Sequence, residues 1–189
     1  MKVESIIRER RSIRKFSDQP VPDHLIQDVL NQASNLCDSQ MLNAMTLMLA
    51  LSHESKTRLS RYMMDSFAVT RFGKLTPKPL KETMVKYFSE VPGLVAVVVE
   101  DHGSPEQRDR QYANVCFYLQ NLQLLAWENG IGMFWRTDEM LYTRSFFEQL
   151  GMSERERLVG ILIFGFIDKT PRPRKRTPAA KKWSRWPQT

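Results

Sequence analysis

Three arginines and a serine fall within five positions near the start of the chain, Arg10, Arg11, Ser12 and Arg14, in the run Arg8-Glu-Arg-Arg-Ser-Ile-Arg-Lys15. A guanidinium presents a planar fork of donors that matches phosphate oxygens, and a serine hydroxyl adds a short neutral donor. The grouping suits a phosphate together with a second anionic or electron-rich edge. A solvated charge run at a helix end accounts for the same residues, and composition alone favours it.

Other chemistries find little footing. No Gly-x-Gly-x-x-Gly and no Gly-Lys-Ser/Thr loop is present, so neither dinucleotide fingerprint nor P-loop is indicated. His24, His53 and His102 have no metal-ligand spacing to one another or to a cysteine. A Gly-x-Ser-x-Gly elbow is absent, which weakens a hydrolase reading. Cys37 and Cys116 are the only cysteines, too few for a disulfide framework; two free thiols in a cytoplasmic protein are expected, with a single Cys37–Cys116 bridge as the alternative.

The net charge of +7 is unevenly placed. Residues 1–15 hold six Lys/Arg against two Glu, residues 170–189 hold seven Lys/Arg and no acid, and the middle is acidic overall. A solvated tail explains this, and so would nucleic-acid binding, although no nucleic-acid-reading module accompanies the pI near 9.6. A third explanation is that both ends converge on one anionic group, such as a cofactor phosphate.

The elements that would hold these residues follow from periodicity. At 42% hydrophobic and 26% charged, the 189 residues read as one soluble globular domain, with no apolar run long enough to span a bilayer. A short helix carrying Val3, Ile6 and Ile7 leads into the arginines. Asp23 is expected to cap a helix with apolar Leu25, Ile26, Val29, Leu30 and Ala33. Residues 35–43 read as loop and 44–51 as a short buried strand, with a helix as the alternative. Helices are expected over 53–67 and 80–88. Leu94-Val-Ala-Val-Val-Val99 is the clearest strand, buried on both faces. The helix 105–129, closed by Gly130, is apolar over too much of its girth to cover one sheet face only, which points to a core or an oligomer interface. Strands over 132–136 and 158–164 flank a helix over 143–150. Helices and strands mix without a strict βαβ rhythm, so the fold class is α+β.

The stretch from Ile6 to Pro22, Ile-Ile-Arg-Glu-Arg-Arg-Ser-Ile-Arg-Lys-Phe-Ser-Asp-Gln-Pro-Val-Pro, resembles the N-terminal signature of the nitroreductase family. The helix 23–34, Gly130-Ile-Gly-Met-Phe-Trp-Arg-Thr137, Leu158-Val-Gly-Ile-Leu-Ile-Phe-Gly165 and Pro171-Arg-Pro-Arg-Lys-Arg-Thr-Pro178 match the family in order and spacing. The Trp135-Arg136 pair is most similar to a compact bacterial subgroup.

The resemblance implies the nitroreductase fold, a mostly antiparallel sheet wrapped by helices, as an intertwined homodimer with FMN at the interface. It implies an NAD(P)H-dependent flavoenzyme passing electrons to a nitroaromatic, quinone or similar small acceptor, without membrane or nucleic-acid partners. Arg10 and Ser12 match residues holding the FMN phosphate and ribityl chain, with Arg11 beside them. Arg14 matches a basic residue near the pyrimidine edge. Phe134, Trp135 and Arg136 match the segment along the ring, and Arg174 and Arg176 the C-terminal cations that close on the phosphate. Asn35 and Ser39 match contacts from the partner subunit. The flavin carries the redox chemistry, so no general acid or base is named.

One stretch departs from the pattern. Where the family has Pro-Ser/Asp-x-x-Asn-x-Gln-Pro-Trp, this chain has Cys37-Asp-Ser-Gln-Met-Leu-Asn-Ala-Met45. Asp38 fits and Asn43 replaces a glutamine, but Cys37, Met41, Ala44 and Met45 differ. A flavin-binding member with little turnover, serving as sensor or storage protein, is therefore an alternative reading, as is a basic nucleic-acid-binding protein.

Overall fold

The computed structural model describes residues 3–37, 42–172, 178 and 184. Four strands form one antiparallel sheet in the order β1-β2-β4-β3: β1 (Met45–Ala50), β2 (Gly93–Glu100), β3 (Ile131–Arg136) and β4 (Glu156–Phe166). The α+β expectation holds, and helices cover both faces.

β2 is buried from Gly93 to Val99. It lies between β1 and β4, and its side chains alternate between two apolar clusters. Val95, Val97 and Val99 meet α2 (Asp23–Asn35) and α6 (Pro105–Glu128) on one face. Leu94, Ala96 and Val98 meet α3 (His53–Val69), α5 (Lys78–Glu90) and α7 (Arg144–Gln149) on the other. The continuous apolar run thus reflects two covered faces in an antiparallel sheet. Two short helices complete the set: α1 (Val3–Glu9), anchored by buried Ile6, and α4 (Arg71–Leu75), between α3 and α5.

Two sequence expectations need correction. Asp23 is not the cap of α2. The helix begins on it, after Pro22, which makes no side-chain cap hydrogen bond. Its carboxylate instead sits in the first turn, where negative charge complements the helix dipole. The second correction concerns β1, which forms as a strand but is not buried: Met48 and Leu49 are each 37% exposed. An apolar run reports β-structure without reporting position, and β1 is an edge strand with a single neighbour.

α6 shows why its girth is apolar. Val115, Tyr118, Leu119, Leu122 and Ala126 are buried against the sheet, whereas Phe117 is 53% exposed and Leu124, Leu125 and Trp127 remain part-exposed. Its start is fixed by a reciprocal pair, in which Gln107 N–H donates to Ser104 Oγ and Ser104 N–H to Gln107 Oε1. Gly130 follows it at φ 72°, the conformation that glycine supplies after a helix. Among the described residues, no helix is long and apolar enough to cross a membrane.

Candidate cofactor site

The arginine run is pinned to the outer edge of β3. Ser12 forms a parallel bridge with Met133, and Ile13 N–H donates to the Met133 carbonyl at 3.1 Å. Phe16 then pairs with Ile167, and Ser17 N–H donates to the Phe166 carbonyl at 3.0 Å. Ile13 is wholly buried, because Gly132 has no side chain to oppose it.

This attachment orients β3. Main-chain polar groups of an antiparallel strand point alternately to either side. Met133 directs its carbonyl outward to Ile13, so the N–H and carbonyl of Trp135 face the same outer edge, just beyond Ser12. An outward main-chain donor therefore lies on the strand edge to which the segment carrying the exposed Ser12 is attached.

Side chains alternate as well. Trp135 turns toward the layer containing α2 and α6, where its indole N–H donates to the Val159 carbonyl at 3.3 Å. Phe134 turns to the opposite layer, and the Arg14 guanidinium lies 4.4 Å from its ring centroid. Arg136 lies 4.8 Å from the Phe88 centroid, and its Nε donates to Asp138 Oδ2 at 2.5 Å. Tyr87, beside Phe88 on α5, donates its hydroxyl to the Arg14 carbonyl at 3.0 Å.

The sequence candidates therefore divide. Arg10, Ser12, Arg14, Phe134, Trp135 and Arg136 belong to β3 or to the segment pinned on it. Arg10 is half-buried where α1 ends, its N–H bonded to the Ile6 carbonyl at 2.9 Å. Arg11 is turned back: Nη1 donates to the carbonyls of Arg8 at 2.6 Å and Arg10 at 2.8 Å, closing the end of α1. Asn35 ends α2 and Asn43 lies in the turn before β1, both exposed and neither hydrogen-bonded to the β3 cluster. Ser39, Arg174 and Arg176 lie outside the described residues.

Phe88, Tyr87 and Asp138 were not singled out from the sequence. Asp138 stands two residues from Arg136 and was legible as an ion-pair partner; Phe88 and Tyr87, 48 or more positions away, were not. An open groove of about 740 Å³, bordered by Lys15, Ser17, Asp18, Lys56 and Asp168, touches the cluster at Arg14 and Tyr87. Lys56 is committed there to the Val91 carbonyl at 2.8 Å, and burial lowers its pKa.

Residues 7–166 match the model of the Nitroreductase family. The chain belongs to that family. It is 34% identical over 177 residues to YfhC of Bacillus subtilis strain 168, a protein assigned provisionally as an NAD(P)H nitroreductase, covering 92% of this chain and 88% of YfhC. The crystal structure of a nitroreductase-like family protein from Bacillus cereus superposes with a TM-score of 0.88 at 29% identity, covering 100% of this chain and 97% of that one. NfnB, an FMN and NADPH-dependent nitroreductase from Sphigopyxis sp. strain HMH, gives 0.78 at 16% identity over the whole of both chains, a likeness of fold. The nitroreductase fold expected from the sequence is thus the fold of the family.

Proposed function

We propose that this family member is an FMN-dependent oxidoreductase that uses NAD(P)H to reduce a nitroaromatic, a quinone or a similar small acceptor. The observation that carries the proposal is the pinning of Ser12 and Ile13 to Met133, which lines up phosphate donors, an outward main-chain N–H and an arginine on one strand edge. YfhC, provisionally an NAD(P)H nitroreductase, and NfnB, an FMN and NADPH-dependent nitroreductase, support it.

The residues present fit the group. Arg10 and Ser12 would hold its phosphate and ribityl chain, each through charge-assisted or hydroxyl hydrogen bonds. Arg14 would stand at the pyrimidine edge, where a fixed positive charge favours the reduced, anionic form. The main-chain N–H of Trp135 would face the ring. The bound FMN would supply the two-electron redox chemistry between NAD(P)H and the acceptor. The chain would act as one domain and as a homodimer, with Asn35, Ser39 and Asn43 supplied by the partner subunit and Arg174 and Arg176 closing on the phosphate. The exposed apolar face of α6 supports the dimer.

The test is purification followed by denaturation and assay. A yellow protein that releases FMN and oxidises NAD(P)H in the presence of a quinone or nitroarene supports the proposal. Bound FMN without turnover supports a sensor or storage role instead, the reading favoured by the altered 37–45 stretch. Colourless protein that takes up no FMN overturns both.

A further inference from the structure

Two arginines on the face of β3 that meets α3, α5 and α7 each rest on an aromatic ring, and a single element touches both. Arg14 lies over Phe134 and Arg136 over Phe88, at 4.4 and 4.8 Å. Phe88 sits in the core at the end of α5, and its ring meets that of Tyr87 edge-to-face at 5.1 Å. Tyr87 in turn holds the main chain of Arg14 through its hydroxyl. The Arg136 side chain is only 16% exposed, bounded by Phe88 beneath and by the carboxylate of Asp138.

A long cationic side chain loses considerable rotamer freedom when fixed. Arg136 is fixed twice, by a ring face and by an ion pair, although neither contact is needed to bury apolar surface. α5 reaches both arginines, Arg136 at its guanidinium through the Phe88 ring and Arg14 at its main-chain carbonyl through the Tyr87 hydroxyl.

We propose that Phe88 and Tyr87 are positioning residues of the cofactor site: α5 sets the places of Arg136 and Arg14 beside Phe134, and so the field at the flavin ring, without itself touching the flavin. This rests on the FMN reading above and adds two residues that the sequence analysis did not single out.

Phe88→Leu keeps an apolar side chain in the core but removes the ring face, whereas Phe88→Tyr keeps the face. In the flavin-free protein, the Arg136 Nε–H resonance is expected at a ring-shifted position in wild type and Phe88→Tyr, and near its ordinary position in Phe88→Leu. With FMN added, Phe88→Leu is expected to weaken binding about three- to tenfold, the scale of a lost cation–π contact, and to move the flavin midpoint potential to a more negative value. Phe88→Tyr should restore both. In an Arg136→Gln background, Phe88→Leu should add nothing further, because its effect travels through the arginine. Phe88→Met, closer in volume to phenylalanine, also lacks a ring face and should give the same signs if Phe88→Leu does not fold. Tyr87→Phe should shift the potential in the same direction through Arg14.

A purely structural Phe88 would lower thermal stability while leaving the Arg136 resonance, FMN affinity and potential unchanged; that result overturns the proposal. Equal effects with and without Arg136 overturn it as well. A wild type that binds no FMN overturns the functional reading, and the Arg136 resonance then still decides whether Phe88 holds that side chain.

Discussion

Ile13 packs against the bare α-carbon of Gly132: a Cβ there would stand 2.5 Å from Ile13 Cγ1 and 2.6 Å from its Cβ. The same residue donates its N–H to the Met133 carbonyl. One close approach thus lets the arginine segment lie along β3. Gly132→Ala is expected to cost about 1–3 kcal/mol, the range for overpacking a filled core, by pushing Ile13 outward. The ratio of FMN to protein should fall more steeply than the melting temperature, because Ser12 and Arg14 move with Ile13. Unchanged FMN content in a destabilised variant would show that the attachment does not position the cofactor.

Gly160 serves the other side of the strand pair. Its φ of 149° is unfavourable for a side chain, and a Cβ would lie 2.3 Å from Trp135 Nε1 and 2.4 Å from the Arg136 carbonyl. It pairs with Val97 where the β2–β4 register shifts. Gly160→Ala combines backbone strain of about 1–3 kcal/mol with a clash against the strand that carries the site. Denaturant unfolding should show a loss of at least that size, and Trp135 displacement should alter the near-UV circular dichroism.

The exposed side of α6 predicts assembly. Phe117, in mid-helix, is 53% exposed, with part-exposed Leu124 and Trp127 further along. Light scattering at low micromolar concentration should give a dimer. Phe117→Arg should shift the mass toward the monomer and release FMN, since the proposed flavin site needs both subunits. A stable wild-type monomer would remove the shared site.

Tyr118 predicts an alkaline limb of the stability curve. Burial pushes its hydroxyl pKa up from 10.0 to about 12. Between those values the unfolded chain releases a proton that the folded one retains, so the unfolded state binds fewer protons and stability falls as pH rises. The contribution is fully present below pH 10 and is lost toward pH 12. Tyr118→Phe removes the titration along with a 3.3 Å bond to the Leu30 carbonyl, which also accepts from Ser34 Oγ at 3.0 Å. The variant should be about 1 kcal/mol less stable near neutrality, and the gap should close or reverse across that window. Parallel curves up to pH 12 would refute the assignment.

Much of the frame was legible in the residues. The unbroken Leu94–Val99 run marked the central strand, and the girth of residues 105–129 marked a helix with more apolar surface than one sheet could cover, because burial imposes composition on whichever faces it covers. Cap chemistry was less legible: Asp23 has the right residue type, but Pro22 fixed where α2 begins. β1 was recognised as a strand and misjudged as buried, since hydrophobic composition is shared by edge and centre.

The sequence by itself determined the family, the order of elements and the residue types gathered near the start, because these depend on local periodicity and on short contiguous patterns. Tertiary structure decided which members of the arginine run are available. It turned Arg11 back onto the carbonyls of α1, set Arg14 on Phe134, and brought Phe88 from α5 under Arg136 at the far end of β3. The physical reason is that a guanidinium can satisfy its donors on a carbonyl, a carboxylate or a ring face, and only packing across distant segments determines which of these lies within reach.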